Sequence, residues 1–85
     1  METKSKIYVT YDKDAQKYSD RFFQAPNDMV AKRIIRDAQA NDKTFKRNAK
    51  SYDLFCLGEY DWTIGKIDTA CNDHICNCAE LIEEN

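Results

Sequence analysis

Tyr52-Asp53-Leu54-Phe55-Cys56-Leu57-Gly58-Glu59-Tyr60-Asp61-Trp62-Thr63-Ile64-Gly65-Lys66-Ile67 holds the densest apolar run of the chain and both of its glycines. Leu54, Phe55, Cys56 and Leu57 form a continuous apolar run rich in strand formers, and so short a run closed by glycine reads as a buried or central strand rather than a helix. Gly58 marks a bulge or the close approach of another backbone. Residues 61–65, Asp-Trp-Thr-Ile-Gly, read as a turn in which Gly65 supplies a positive φ before a return strand at 66–68. The stretch is therefore expected to form a β-hairpin.

Upstream, residues 6–12 alternate Ile7, Val9 and Tyr11 with Tyr8 and Thr10, the period of a half-buried strand. Residues 13–20 are polar and read as a loop, and a short strand is expected at 21–25. Pro26-Asn27-Asp28 is a helix start: Asn27 accepts from orphan amides, and Asp28 suits the positive end of the helix dipole. The helix should run to about Asn41. Val30, Ala31, Ile34, Ile35 and Ala38 form its apolar stripe, leaving Lys32, Arg33, Arg36 and Asp37 wet.

Residues 41–51 lack a period and read as a basic loop pinned by Phe45. After the hairpin a polar link leads to residues 75–82, which fit either a strand or a short helix, and residues 83–85 should fray. The fold expected is α+β. A small, mainly antiparallel sheet of four or five strands (6–12, 21–25, 52–59, 63–68 and, as the fifth, 75–82) is covered on one face by a single α-helix. The stripe Val30, Ile34, Ile35 and Ala38 should face Ile7, Val9, Leu54 and Ile67.

The length of 85 residues fits one domain with a modest core, so self-association is a plausible source of further stability. No apolar run approaches the roughly 20 residues of a membrane span, and the opening Met-Glu-Thr-Lys-Ser-Lys lacks a secretory segment, so no membrane partner and an intracellular location are expected. Cys56, Cys71, Cys76 and Cys78 are then expected to be reduced. The net charge of −2 conceals a strong asymmetry: residues 1–31 are neutral, 32–50 carry +5 and 51–85 carry −7.

Three landmarks fall in order. They are the Tyr8-to-Asp12 strand; Phe22-Phe23-Gln24-Ala25-Pro26-Asn27-Asp28 running into Ala31-Lys32-Arg33; and Tyr52-Asp53-Leu54-Phe55 followed by Gly58-Glu59-Tyr60-Asp61 and Gly65. In this order and spacing, over about residues 7–67, the chain resembles the small nonstructural protein of gokushovirus-type microviruses. The resemblance implies a non-enzymatic protein of a small single-stranded DNA phage, in the cytoplasm of an infected bacterium. Its implied role is DNA binding in genome replication or packaging. The end from Cys71 to Cys78 lies outside it.

Single-stranded DNA binding needs cations along a backbone path and rings on which bases stack. Lys32, Arg33, Arg36, Lys43, Lys46, Arg47 and Lys50 are the candidate cations, and Tyr8, Tyr18, Phe23 and Trp62 the candidate stacking platforms. The same residues have a plainer reading, as a solvated helix face and a small core, and the acidic last third opposes DNA binding.

Cys71, His74, Cys76 and Cys78 offer zinc-type donors, but they crowd one segment without a Cys-x2-Cys knuckle, so small structural thiols are expected and no metal or other cofactor. His74 is the only histidine, and neither an oxyanion-hole glycine nor a phosphate-binding loop accompanies it, so no enzyme is expected. The rival reading is an interaction or scaffold protein, homodimeric or docking on a host or viral partner through Trp62, Phe55 and a free sheet edge.

Overall fold

The structure, a computed structural model, describes residues 3–69 and 72–82. Its elements in order are β1 (Lys4–Asp12), β2 (Lys17–Tyr18), β3 (Phe23–Ala25), α1 (Asp28–Asn41), α2 (Lys43–Arg47), a 3-10 turn (Ala49–Ser51), β4 (Tyr52–Asp61), β5 (Lys66–Asp68), β6 (Asp73–Asn77) and a 3-10 helix (Cys78–Leu81). The six strands form one antiparallel sheet with α1 as the main helix, so the chain is a small α+β fold. No helix among the described residues is long and apolar enough to cross a membrane.

The two long strands β1 and β4 pair at the centre from Lys4↔Asp61 to Asp12↔Tyr52. Ile7 pairs with Gly58 and Tyr8 with Cys56, so Leu57 is the extra residue of a bulge. Both β2 and β3 lie on the outer edge of β1, and both β5 and β6 on that of β4. Each half of the chain thus follows one plan: long strand, tight turn, two short strands against the same partner, then a helix.

Asn27 caps α1 as expected, its Oδ1 accepting from Val30 N at 2.9 Å. The core gathers Ala31 and Ile35 of α1 against Tyr8, Leu54, Cys56, Cys76, Cys78 and Leu81. Leu54 faces the helix as expected. Ile7 and Val9 do not: they are buried outside this cluster, on the opposite face of β1 from Tyr8. Tyr8 takes the helix side because its hydroxyl donates to Asp28 Oδ1 at 2.6 Å, beside the Lys6–Asp28 ion pair.

The helix is also rotated from its expected stripe. Its buried positions are Ala31, Ile35 and Gln39, while Ile34 is 39 % exposed and Ala38 is exposed. Polar anchors set this rotation. Asp28 accepts from Tyr8, Arg36 Nε donates to Leu81 O at 3.2 Å, and Gln39 Nε2 donates to Cys78 O at 2.8 Å, which turns that flank inward. Ile67, expected in the core, is 56 % exposed on the short β5.

Other segments differ from expectation as well. Residues 13–20, read as a loop, carry β2 at Lys17–Tyr18 against Tyr11 and Asp12. Residues 41–51 are not a loop: Asp42 caps α2 by accepting from Thr44 N and Phe45 N, and Phe45 still serves as the anchor, meeting Tyr52 edge-on at 5.2 Å. The return strand is Lys66–Asp68 after a turn at 62–65, as the reading of Gly65 expected, and does not extend back to Thr63 as in the strand set 63–68. The segment left open at 75–82 is both things, strand to Asn77 and then a 3-10 helix with a capping box between Asn77 and Glu80. Residues 83–85 and Cys71 lie outside the described residues.

Candidate nucleic-acid interface

The central register fixes where the charges go. The C-terminal ends of β1 and α1 meet the start of β4, so α2 and the Ala49–Ser51 turn bring Lys43, Lys46, Arg47 and Lys50, all exposed, to one end of the sheet. The β1–β2 turn joins them there, since Lys13 N donates to Ser51 O at 2.8 Å and Lys17 pairs with Asp12. Lys13 and Lys17 were not among the cations expected from sequence. Hairpin register would have found them, because the turn after β1 must abut the start of its antiparallel partner.

The three cations of α1 divide. Arg33 points to solvent, whereas Lys32 and Arg36 are half-buried on the flank toward β6, Arg36 being tied to Leu81 O. Arg36 is thus a structural contact first. Glu59, Asp61, Asp68 and Asp73 gather toward the other end with Lys4, Lys6 and Lys66. The α2 end therefore groups most of the exposed cations, about 30 Å along β4 from Asp61, with Asp12, Asp14, Asp20, Asp42 and Asp53 standing among them.

The candidate rings have different fates. Tyr8 is fully buried, its ring stacked on Phe23 at 5.6 Å and its hydroxyl committed to Asp28, so it offers no face to a base. Burial, then the Asp28 carboxylate, raises its pKa well above the ordinary tyrosine range. Trp62, 48 % exposed, lies at the β4–β5 turn, at the far end from the α2 cations. Phe23 is half-buried near α2. Tyr18 is 43 % exposed and sits at the basic end.

Around Tyr18 is a cluster that sequence reading missed. On the sheet face away from α1, Tyr18 meets Tyr11 at 4.7 Å and Phe55 at 5.6 Å, and Phe55 meets His74 at 5.3 Å, all edge-on. Val9 pairs with Phe55, which places these rings with the buried Ile7 and Val9 on the face away from α1. The alternation of Ile7, Val9 and Tyr11 had shown that Tyr11 shares that face; assigning the face to the helix concealed its use. Asp53 lies beneath the cluster, 3.8 Å from Lys13 Nζ and 3.6 Å from His74 Nε2, and accepts from Asn77 Nδ2 at 2.9 Å. The Asp53 side chain is largely buried while Lys13 and His74 reach it from the exposed side.

The thiols are elsewhere. Leu54 pairs with Cys76 on the helix face and Phe55 with His74 on the other, so the bulge at Ile75 puts the imidazole across the sheet from Cys76 and Cys78. Burial pushes the Cys78 thiol up to about 12 and raises Cys56 and Cys76. Among the described residues no three His, Cys, Asp or Glu side chains gather as a metal site.

No curated protein and no solved structure matches the chain. The family model described as Phage ORF5 protein matches residues 5–81, from the second residue of β1 to the last of the terminal 3-10 helix. The match spans the whole sheet, both helices and the basic end with its rings, and the chain belongs to the phage ORF5 protein family.

Proposed function

We propose that the protein binds single-stranded DNA with little sequence preference. In this reading it is a nonstructural protein of a small gokushovirus-type phage, acting in genome replication or packaging in the cytoplasm of the infected host. One observation carries the reading: Lys43, Lys46, Arg47 and Lys50 share an end of the sheet with Lys13, Lys17 and the rings of Tyr11, Tyr18, Phe55 and His74. Cations that follow a phosphate path beside faces for stacking are what a single strand needs, and neither group depends on base identity. Of the acidic groups that weigh against DNA binding in the sequence, Glu59, Asp61 and Asp68 lie toward the other end, while Asp53 stands at the basic end beside Lys13.

A labelled oligonucleotide titrated at ~50 mM and ~200 mM salt tests this. With about four phosphate contacts the slope is near −0.7 per contact, so affinity should fall roughly fiftyfold. Absence of binding at the lower salt rejects the proposal.

A second reading, an interaction protein, draws on a different surface. Trp62, Ile64 and Ile67 are all exposed at the β4–β5 hairpin, whereas Phe55 belongs to the ring cluster and is no free anchor. Size exclusion of the protein alone decides whether that hairpin carries a homodimer, since an apolar contact responds little to salt.

A further inference from the structure

Between α2 and the β1/β3 edge lies a cavity of about 330 Å³, lined among others by Thr10, Arg21, Phe23, Thr44, Phe45 and Tyr52. It shares Thr10 and Tyr52 with a second cavity of about 400 Å³ that runs on to Lys17 and Tyr18. The two cavities therefore adjoin at the end of β1, one beside the cationic helix α2 and the other at the Lys17–Tyr18 edge.

Resting on the single-stranded DNA reading above, we infer that the α2 cavity takes one unstacked nucleobase of the bound strand. The volume is at the small end of ligand sites, roughly 300–1,000 Å³, and suits a single flat ring system. Phe45 and Tyr52 stand at 87° with centroids 5.2 Å apart, a corner where a planar ring lies on one face with its edge against the other. Thr10 and Thr44 offer hydroxyls for a base edge, and Arg21 offers a guanidinium. Asp42, the carboxylate in the wall, is turned to the first amides of α2, its Oδ1 accepting from Thr44 N at 3.0 Å and Phe45 N at 3.1 Å. Lys43, Lys46 and Arg47 on the same helix would hold the flanking phosphates.

The test is NMR on the isotopically labelled full chain titrated with thymidine 5′-monophosphate, with inorganic phosphate as control, alongside oligonucleotide binding by the wild type and Thr44→Trp. Thr44 is exposed, so the larger ring can fill the cavity without entering the core. Nucleotide, but not phosphate, should shift the amides of Thr44, Phe45 and Tyr52, and Thr44→Trp should weaken oligonucleotide binding by at least about fivefold. If oligonucleotide binds wild type and Thr44→Trp equally, and shifts appear only around Tyr18 and His74, the base pocket is overturned and the DNA reading stands. If the nucleotide shifts the pocket amides but no oligonucleotide binds at low salt, the pocket stands and the DNA reading falls. Shifts with phosphate alone overturn the pocket.

Discussion

Asp12 and Asp61 perform the same task in the two halves of the sheet. Asp12 Oδ1 accepts from Asp14 N and Ala15 N, and Asp61 Oδ1 accepts from Thr63 N and Thr63 Oγ1, each closing a turn whose fourth residue is left-handed, Gln16 at φ 57° and Gly65 at φ 65°. A side chain in that region costs about 1 kcal/mol, so Gly65→Ala should lower stability in urea by about that much while Gln16→Gly is neutral or stabilising. The Thr63 hydroxyl holds the Asp61 carboxyl below its ordinary value of 3.8. Its stabilisation is therefore present above that pH and lost as pH falls through the depressed value, and Asp61→Asn should remove this part of the acid dependence.

Gly58 is required for a different reason: a Cβ there would stand 2.1 Å from Asp68 O, a backbone atom, so Gly58→Ala should cost at least ~2 kcal/mol. On the alkaline side, Tyr8, Cys56, Cys76 and Cys78 are all raised by burial. They stay protonated in the fold while the unfolded chain ionises, so melting temperature should fall as pH rises above about 9.

At the scale of elements, the chain end is held by one side chain. Asn77 Nδ2 donates to Lys50 O, Tyr52 O and Asp53 Oδ1, while its Oδ1 accepts from Ala79 N, so one amide ties β6, the start of β4 and the last 3-10 helix together. Asn77→Ala should cost about 1–3 kcal/mol, measured as a shifted denaturation midpoint. The break between strand and helix within residues 75–82 is marked locally by the Asn77–Glu80 capping box, and the long-range bonds of Asn77 fix it against β4.

The strands around Leu54 and Val9, the Asn27 cap and the Gly58 bulge were legible because period and special backbone positions act locally. The face of β1 and the rotation of α1 were not. Apolar periodicity favoured Ile7, Val9 and Ile34, and it was overridden by Tyr8–Asp28, Gln39–Cys78 and Arg36–Leu81, polar contacts between residues distant in sequence. The same override hid the ring cluster, since reading the Val9 face as core left Tyr11 no exposed role. For the cations, linear charge located Lys43 to Lys50 but could not supply Lys13 and Lys17, which arrive by register.

For the molecule as a whole, the claim that matters is that phosphates follow the α2 end and not the opposite one. Charge distribution rather than net charge makes that claim, because a chain of net −2 is repelled by DNA at long range and attracted only where its cations are grouped. The most direct measurement is the dependence of single-stranded oligonucleotide affinity on salt for three proteins: wild type, Lys43→Gln/Lys46→Gln/Arg47→Gln, and Lys4→Gln/Lys66→Gln at the other end. The α2 variant should bind more weakly and flatten the log–log slope by about two units, at roughly 0.7 per lost contact, while the Lys4 and Lys66 variant keeps the wild-type slope. Equal slopes in all three proteins, or a flattened slope in the Lys4 and Lys66 variant alone, would contradict the placement of the strand at the α2 end.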